Sequence, residues 1–214
     1  MTPRLMSPRL MTTRLALPAG EVAALCAELG LLVPPAFGTD APVASPGLLV
    51  DGDVHEAVAA GLCVTCSPQL GVLLESTLGD VAAAVGIRGD LGGSMLRAGG
   101  SDVEIAIWPA TQLGAELARA VPELPCAPRP QLKVRVDELA GQQELRDAVV
   151  GRTRATVVTP PRVVGSVTWL ATATGWLSVE PDDVRDGRRT VAVRPVEAGD
   201  IGASLAPLVA AALA

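Results

Sequence analysis

Two stretches of this chain follow one plan, and that recurrence restricts the fold more than any other feature. Between Arg162 and Leu213, the residues Val163, Val164, Val167, Trp169 and Leu170 make a β-branched and aromatic run. Ala173-Thr174-Gly175 turns that run, and Trp176, Leu177 and Val179 carry it back. A polar loop from Pro181 to Arg188 then delivers Thr190 to Val193, whose alternation ends at Arg194-Pro195. Asp200 stands where it can cap a helix with Ile201, Leu205, Leu208, Val209 and Leu213 near one face.

The earlier stretch repeats the scheme. Leu70–Thr77, Val81–Arg88, Gly93–Ala98 and Val103–Trp108 read as four short strands, and Trp108-Pro109 opens a helix over Thr111–Val121. Placing Pro109 on Pro195 gives an offset of about 86 residues and brings Leu113-Gly114 near Ile201-Gly202. Helices upstream, Val54–Leu62 and Glu138–Val150, complete the pattern. The expected fold is therefore α+β, two α-ββββ-α units with quasi-two-fold symmetry and a mainly antiparallel sheet flanked by helices. A second register, aligning Thr65–Pro68 with Val157–Pro160, is also open.

The flanking segments set the expected boundaries. Residues 1–15 are three near-identical pentads, MTPRL, MSPRL and MTTRL, which bury no face and are expected to be a disordered extension; Met11 is an alternative start. Pro18–Leu29 is the first helix, with Val22, Leu25, Cys26 and Leu29 on one face and Gly30 to terminate it. Pro34 to Pro46 is a Pro- and Gly-rich connector, and Asp51 or Asp53 caps the next helix, Asp53 and Glu56 having capping-box spacing. Pro122, Pro125, Pro128 and Pro130 mark a linker. Residues 16–128 and 129–214 are then the two halves of one shared globular domain, and Lys133–Val136 either adds a short strand or begins the second half.

Composition narrows the function. With 214 residues, 49% hydrophobic, the chain can bury a sizeable core. Its net charge is −6, and because residues 1–15 carry Arg4, Arg9 and Arg14 and no acid, the rest stands at −9. An acidic body with only Phe37, Trp108, Trp169 and Trp176 as aromatics argues against nucleic acid as a partner. No apolar run is long enough to span a membrane; Leu205–Ala214 is the most apolar tail, and Pro207 interrupts it. Without a signal region, cytoplasmic residence is expected.

No constellation assembles a catalytic site, and no catalytic, cofactor or metal residue is expected. Cys63-x-x-Cys66, even with Cys26, Cys126 and His55 nearby in sequence, offers only one close pair where a structural zinc site uses two. His55, the only histidine, reads as a solvated residue in a first helical turn. The segment Gly86 to Gly93 lacks a phosphate-loop signature and reads as a hairpin tip. Arg88, Asp90 and Leu91 at that tip are candidate partner contacts. Asp182, Asp183 and Asp186 lack calcium-loop spacing and face Arg185, Arg188 and Arg189, so they read as a charged hairpin. Trp169 and Trp176 are expected to pair across a hairpin in the core.

Several segments together resemble the EspG family, chaperones associated with ESX (type VII) secretion. They are LPAGEVAALCAELGLLVPP, GLLVDGDVHEAVAAGL, VEIAIWPATQLGAEL, VTWLATATGWLSVEP and RTVAVRPVEAGDIGASLAPLVAAAL, which run over most of the chain from Leu15. The resemblance implies a quasi-two-fold α+β fold, a central sheet flanked by helical bundles. It implies a non-enzymatic cytosolic adaptor that binds a helical secretion substrate and keeps it soluble for export, acting as a monomer or weak homodimer. The chain is shorter than members commonly are, with a compressed connector after its first helix. Two other classes stand beside this reading: a small-ligand-binding or regulatory domain on the duplicated sheet, and a hydrolase or metal enzyme using His55 with the cysteines.

Overall fold

The computed structural model describes residues 12–37, 49–50, 53–121, 132–139, 141–185, 188–197 and 200–214. In chain order, β1 (Thr13–Pro18) leads into α1 (Ala19–Glu28) and a 3₁₀ turn (Pro35–Phe37). The short strands β2 (Leu49–Val50) and β3 (Asp53–Val54) pair with each other ahead of α2 (Glu56–Cys66). Then come β4 (Leu70–Ser76), β5 (Val81–Arg88), β6 (Leu91–Ala98), β7 (Asp102–Pro109), a 3₁₀ turn (Ala110–Gln112) and α3 (Leu113–Arg119). After these follow β8 (Leu132–Arg135), α4 (Val136–Leu139) and α5 (Gln143–Ala148). The chain closes with β9 (Val149–Thr159), β10 (Arg162–Thr172), β11 (Gly175–Arg185), β12 (Arg188–Val196) and α6 (Ile201–Leu213).

Ten of the strands form one antiparallel sheet in the order β1-β7-β6-β5-β4-β9-β10-β11-β12-β8. Two four-stranded meanders, β4 to β7 and β9 to β12, meet at the β4/β9 seam, where Gly71 opposes Val158 and Ser76 opposes Thr153. The Thr153 hydroxyl donates to Ser76 Oγ at 2.8 Å inside that seam. Each meander is followed by a helix, α3 or α6. Leu91 opposes Pro109 in the first meander and Leu177 opposes Pro195 in the second. The competing register fails: Thr65 and Cys66 close a helix, whereas Val157 to Thr159 close a strand.

The alternation of strand side chains produces two cores, one on each sheet face. Leu74, Val85, Trp108, Val157, Trp169 and Trp176 pack under α3 and α6, whose Leu117, Ile201 and Leu205 are buried. On the opposite face, α1 and α2 cover Ala82, Ala84, Met95, Val103 and Ile105, with Phe37 beside them. Glycine permits these close approaches. A Cβ on Gly86 would lie 2.3 Å from the Val64 carbonyl oxygen of α2, and one on Gly92 would lie 1.9 Å from the Trp108 ring.

Local expectations change where tertiary pairing outweighs side-chain pattern. The expected loop Pro181–Arg188 is mostly ladder, with Val184 opposite Arg189 and Arg185 opposite Arg188 after a register shift; residues 186–187 lie outside the described residues. Backbone hydrogen bonds extend a hairpin whatever its polarity. The single helix expected over Glu138–Val150 is two short ones separated at Gly141, and Val149 enters β9 opposite Thr172. Leu15 and its neighbours are no extension, since β1 begins at Thr13 and pairs with β7; residues 1–11 lie outside the described residues.

Caps differ too. His55, and not Asp53, caps α2, its Nδ1 accepting from the Ala57 N–H at 3.3 Å, while Asp53 sits in β3. Asp51 is outside the described residues. Asp200 precedes α6 in a helical conformation and makes no side-chain cap. The α6 helix runs through Pro207, and Leu213 at its end is 72% exposed rather than part of the packed face.

Candidate functional site

The β5–β6 hairpin places Arg88 opposite Leu91 around a two-residue turn, with Gly89 at φ +59°. That left-handed backbone favours glycine. The turn is pinned twice: the Gly89 N–H donates to Gln69 Oε1 at 3.1 Å, and the Ala110 N–H donates to the Asp90 carbonyl at 2.9 Å. Arg88 and Asp90 are exposed on this rigid tip, whereas Leu91 is half-buried opposite Pro109.

A second surface was not legible in the sequence. On the face that carries α1 and α2, those helices pack on β5, β6 and β7, and α4 packs at β8 and β12. Among the described residues, the β4/β9 seam is concave. There the register brings Arg97, Ala82, Glu75, Arg154 and Thr168 into one row across β6, β5, β4, β9 and β10. These residues with Thr77, Arg152 and Ser166 line a trough of about 550 Å³. Arg97 is braced over the Phe37 ring at 5.9 Å, a cation–π contact. Leu73 and Val163 add exposed apolar side chains to the same strip, at 37% and 62% exposure. The alternation of Leu73 with Glu75 and of Arg152 with Arg154 is present in the sequence, but their meeting across the β4/β9 seam is a tertiary fact.

A charged cluster ties the first strand to this half. Arg14 of β1 donates to both carboxylate oxygens of Glu116 and to Glu104 at 3.1 Å, and Arg119 donates to Glu104 at 2.8 Å. The Glu116 side chain is only 4% exposed. Hydrogen bonding to Arg119, then its charge and that of Arg14, hold the Glu104 carboxyl below the usual range. Arg14 is raised chiefly by its hydrogen bond to Glu116, and Arg119 by its hydrogen bond to Glu104. The cluster joins β1, β7 and α3.

The remaining sequence candidates separate in space. Cys26 of α1, fully buried, meets Cys66 at the end of α2 with the sulfurs 4.0 Å apart. Their shared S–H···S contact lowers Cys26 and, with burial, pushes the Cys66 thiol well above its ordinary value. Cys63 lies one turn before Cys66, and Cys126 is outside the described residues. Among the described residues no three His, Cys, Asp or Glu side chains gather as metal ligands. Trp169 and Trp176 are both buried, so they belong to the core and present no surface patch. Asp182 and Asp183 lie within β11 rather than in a loop, and Asp186 is outside the described residues.

This architecture, a broad antiparallel sheet with few helices on its faces, occurs in a solved structure, the Mycobacterium tuberculosis type VII secretion system chaperone EspG5 in complex with the PE25-PPE41 dimer. The similarity has a TM-score of 0.63 at 14% identity and covers 92% of this chain and 96% of that one. A Helicobacter pylori beta clamp is also similar at 6% identity, but its TM-score of 0.15 carries no argument. No curated protein matches the chain. The fold class is that of the EspG5 structure, α+β with a large antiparallel sheet. The chain belongs to the EspG family, whose model matches residues 39–206.

Proposed function

We propose that this protein is a cytosolic chaperone that binds a helical secretion substrate and keeps it soluble for type VII export. The observation that carries the reading is the EspG family match over residues 39–206, supported by a fold shared with EspG5. EspG5 is seen with the PE25-PPE41 dimer, and a partner of that general kind suits a rigid scaffold with exposed contact surfaces. Among the described residues no helix is long and apolar enough to cross a membrane.

The contacts we assign are Arg88, Asp90 and Leu91. Their hairpin is braced at Gly89 and Asp90, so it loses little conformational entropy on binding. The protein acts as a monomer or weak homodimer in the free state. Affinity purification from an actinobacterial lysate, followed by mass spectrometry, tests the reading. Recovery of a small helical secretion substrate at matched stoichiometry is the expected result, weakened in an Arg88→Glu, Asp90→Lys variant. Recovery of the bare protein alone counts against the chaperone role. The ligand-binding alternative draws on the Arg97, Arg152 and Arg154 trough; a stoichiometric small molecule in native mass spectra would favour it.

A further inference from the structure

We propose that Cys26 and Cys66 form a redox-modification site, closing to a disulfide when the protein meets hydrogen peroxide. Their side chains come from different helices and from positions 40 residues apart, yet the sulfurs are 4.0 Å from each other. A disulfide needs an S–S separation near 2.0 Å, so rotamer adjustment and a small approach of α1 and α2 are the movements required. Cys66 is partly buried at the end of its helix, whereas Cys26 is fully buried in the same core. Whichever sulfur is oxidised first therefore has a second thiol beside it to resolve it. The proposed chaperone role does not use this contact.

The chemistry balances with the peroxide as the only co-reactant. One of the two sulfurs, as its thiolate, attacks one oxygen of hydrogen peroxide; an S–O bond forms, the O–O bond breaks, and the departing hydroxide leaves as water with the thiol proton. The other sulfur then attacks that sulfenic acid; the S–S bond forms, the S–O bond breaks, and the second hydroxide takes the remaining thiol proton. Two thiols and one hydrogen peroxide give one disulfide and two waters. The product joins α1 to α2 and makes the connector between them, including the 3₁₀ turn that carries Phe37, a closed loop. Closure therefore restrains the helix layer on one face of the first meander without touching the α3 and α6 face.

The test treats the full chain with hydrogen peroxide, quenches it, alkylates it under denaturing conditions and maps its peptides. Alkylated thiols fall from the four cysteines of the sequence to two, a cross-linked peptide pair contains Cys26 and Cys66, and dithiothreitol reverses both changes. Melting temperature rises on oxidation and returns on reduction. Cys63→Ser keeps the cross-link and Cys66→Ser abolishes it. If Cys66→Ser does not fold, the wild-type peptide map and Cys63→Ser decide. A disulfide through Cys63 or Cys126, over-oxidation to sulfinic or sulfonic acid without cross-linking, or four free thiols after treatment would each overturn the proposal.

Discussion

Replacing Arg14 by Met tests how the first strand is held to the sheet. The substitution keeps the aliphatic stem and removes the donors that reach both oxygens of Glu116 and Glu104 Oε1. Breaking a fully buried pair costs about 3–5 kcal/mol by stranding a charge. Two features reduce that figure. Arg14 is 29% exposed and so partly screened, and Glu116 keeps Arg119 at 3.5 Å. A loss of about 2 kcal/mol follows, equivalent in a chain of this size to roughly 4–8 °C in Tm. Urea unfolding of wild type, Arg14→Met, Glu116→Gln and the double variant completes a thermodynamic cycle. Coupling of about 1 kcal/mol or more is expected. A single-variant loss inside the roughly 0.5 kcal/mol range of ordinary surface changes, with additive effects, would refute the claim that this contact docks β1.

Other consequences follow from the same geometry. Gly92→Ala drives a methyl into the Trp108 ring and should cost about 3 kcal/mol by calorimetry, while Gly114→Ala, with nothing within 4 Å, should be neutral or slightly stabilising. Glu104, depressed by Arg119 and Arg14, contributes stability above its unfolded value near about 4.3, and that contribution is lost as pH falls through its lower folded value. Acid titration of stability should therefore be flatter for Glu104→Gln. A chain beginning at Met11 retains all of β1 and Arg14, and its melting temperature should equal that of the longer chain; a fall would assign residues 1–10 a structural role.

Much of the fold was legible because strands with one buried face must alternate. Val103, Ile105 and Ala106, Trp108 divide between two cores as that rule requires. Pro109 ends β7 and Pro195 stands one residue before the end of β12, each opposite a leucine. The reading failed where partners, and not local preference, set the outcome. Val184 and Arg185 entered a ladder because a hairpin needs only backbone groups, and Val149 left a predicted helix because β10 offered it Thr172. His55 became a cap through the direction of one ring nitrogen, which no spacing rule encodes.

The sequence by itself determined the meander plan, the two-sided core, the family and the exposure of the Arg88–Asp90 tip, because each depends on local periodicity, turn residues or segment resemblance. Only the tertiary structure decided that Arg97, Glu75 and Arg154 share one row, that Arg14 reaches Glu116, and that Cys26 faces Cys66. The physical reason is range: periodicity specifies which way a side chain points from its own strand or helix, whereas neighbours 40 to 102 residues away are brought there by sheet register and helix packing.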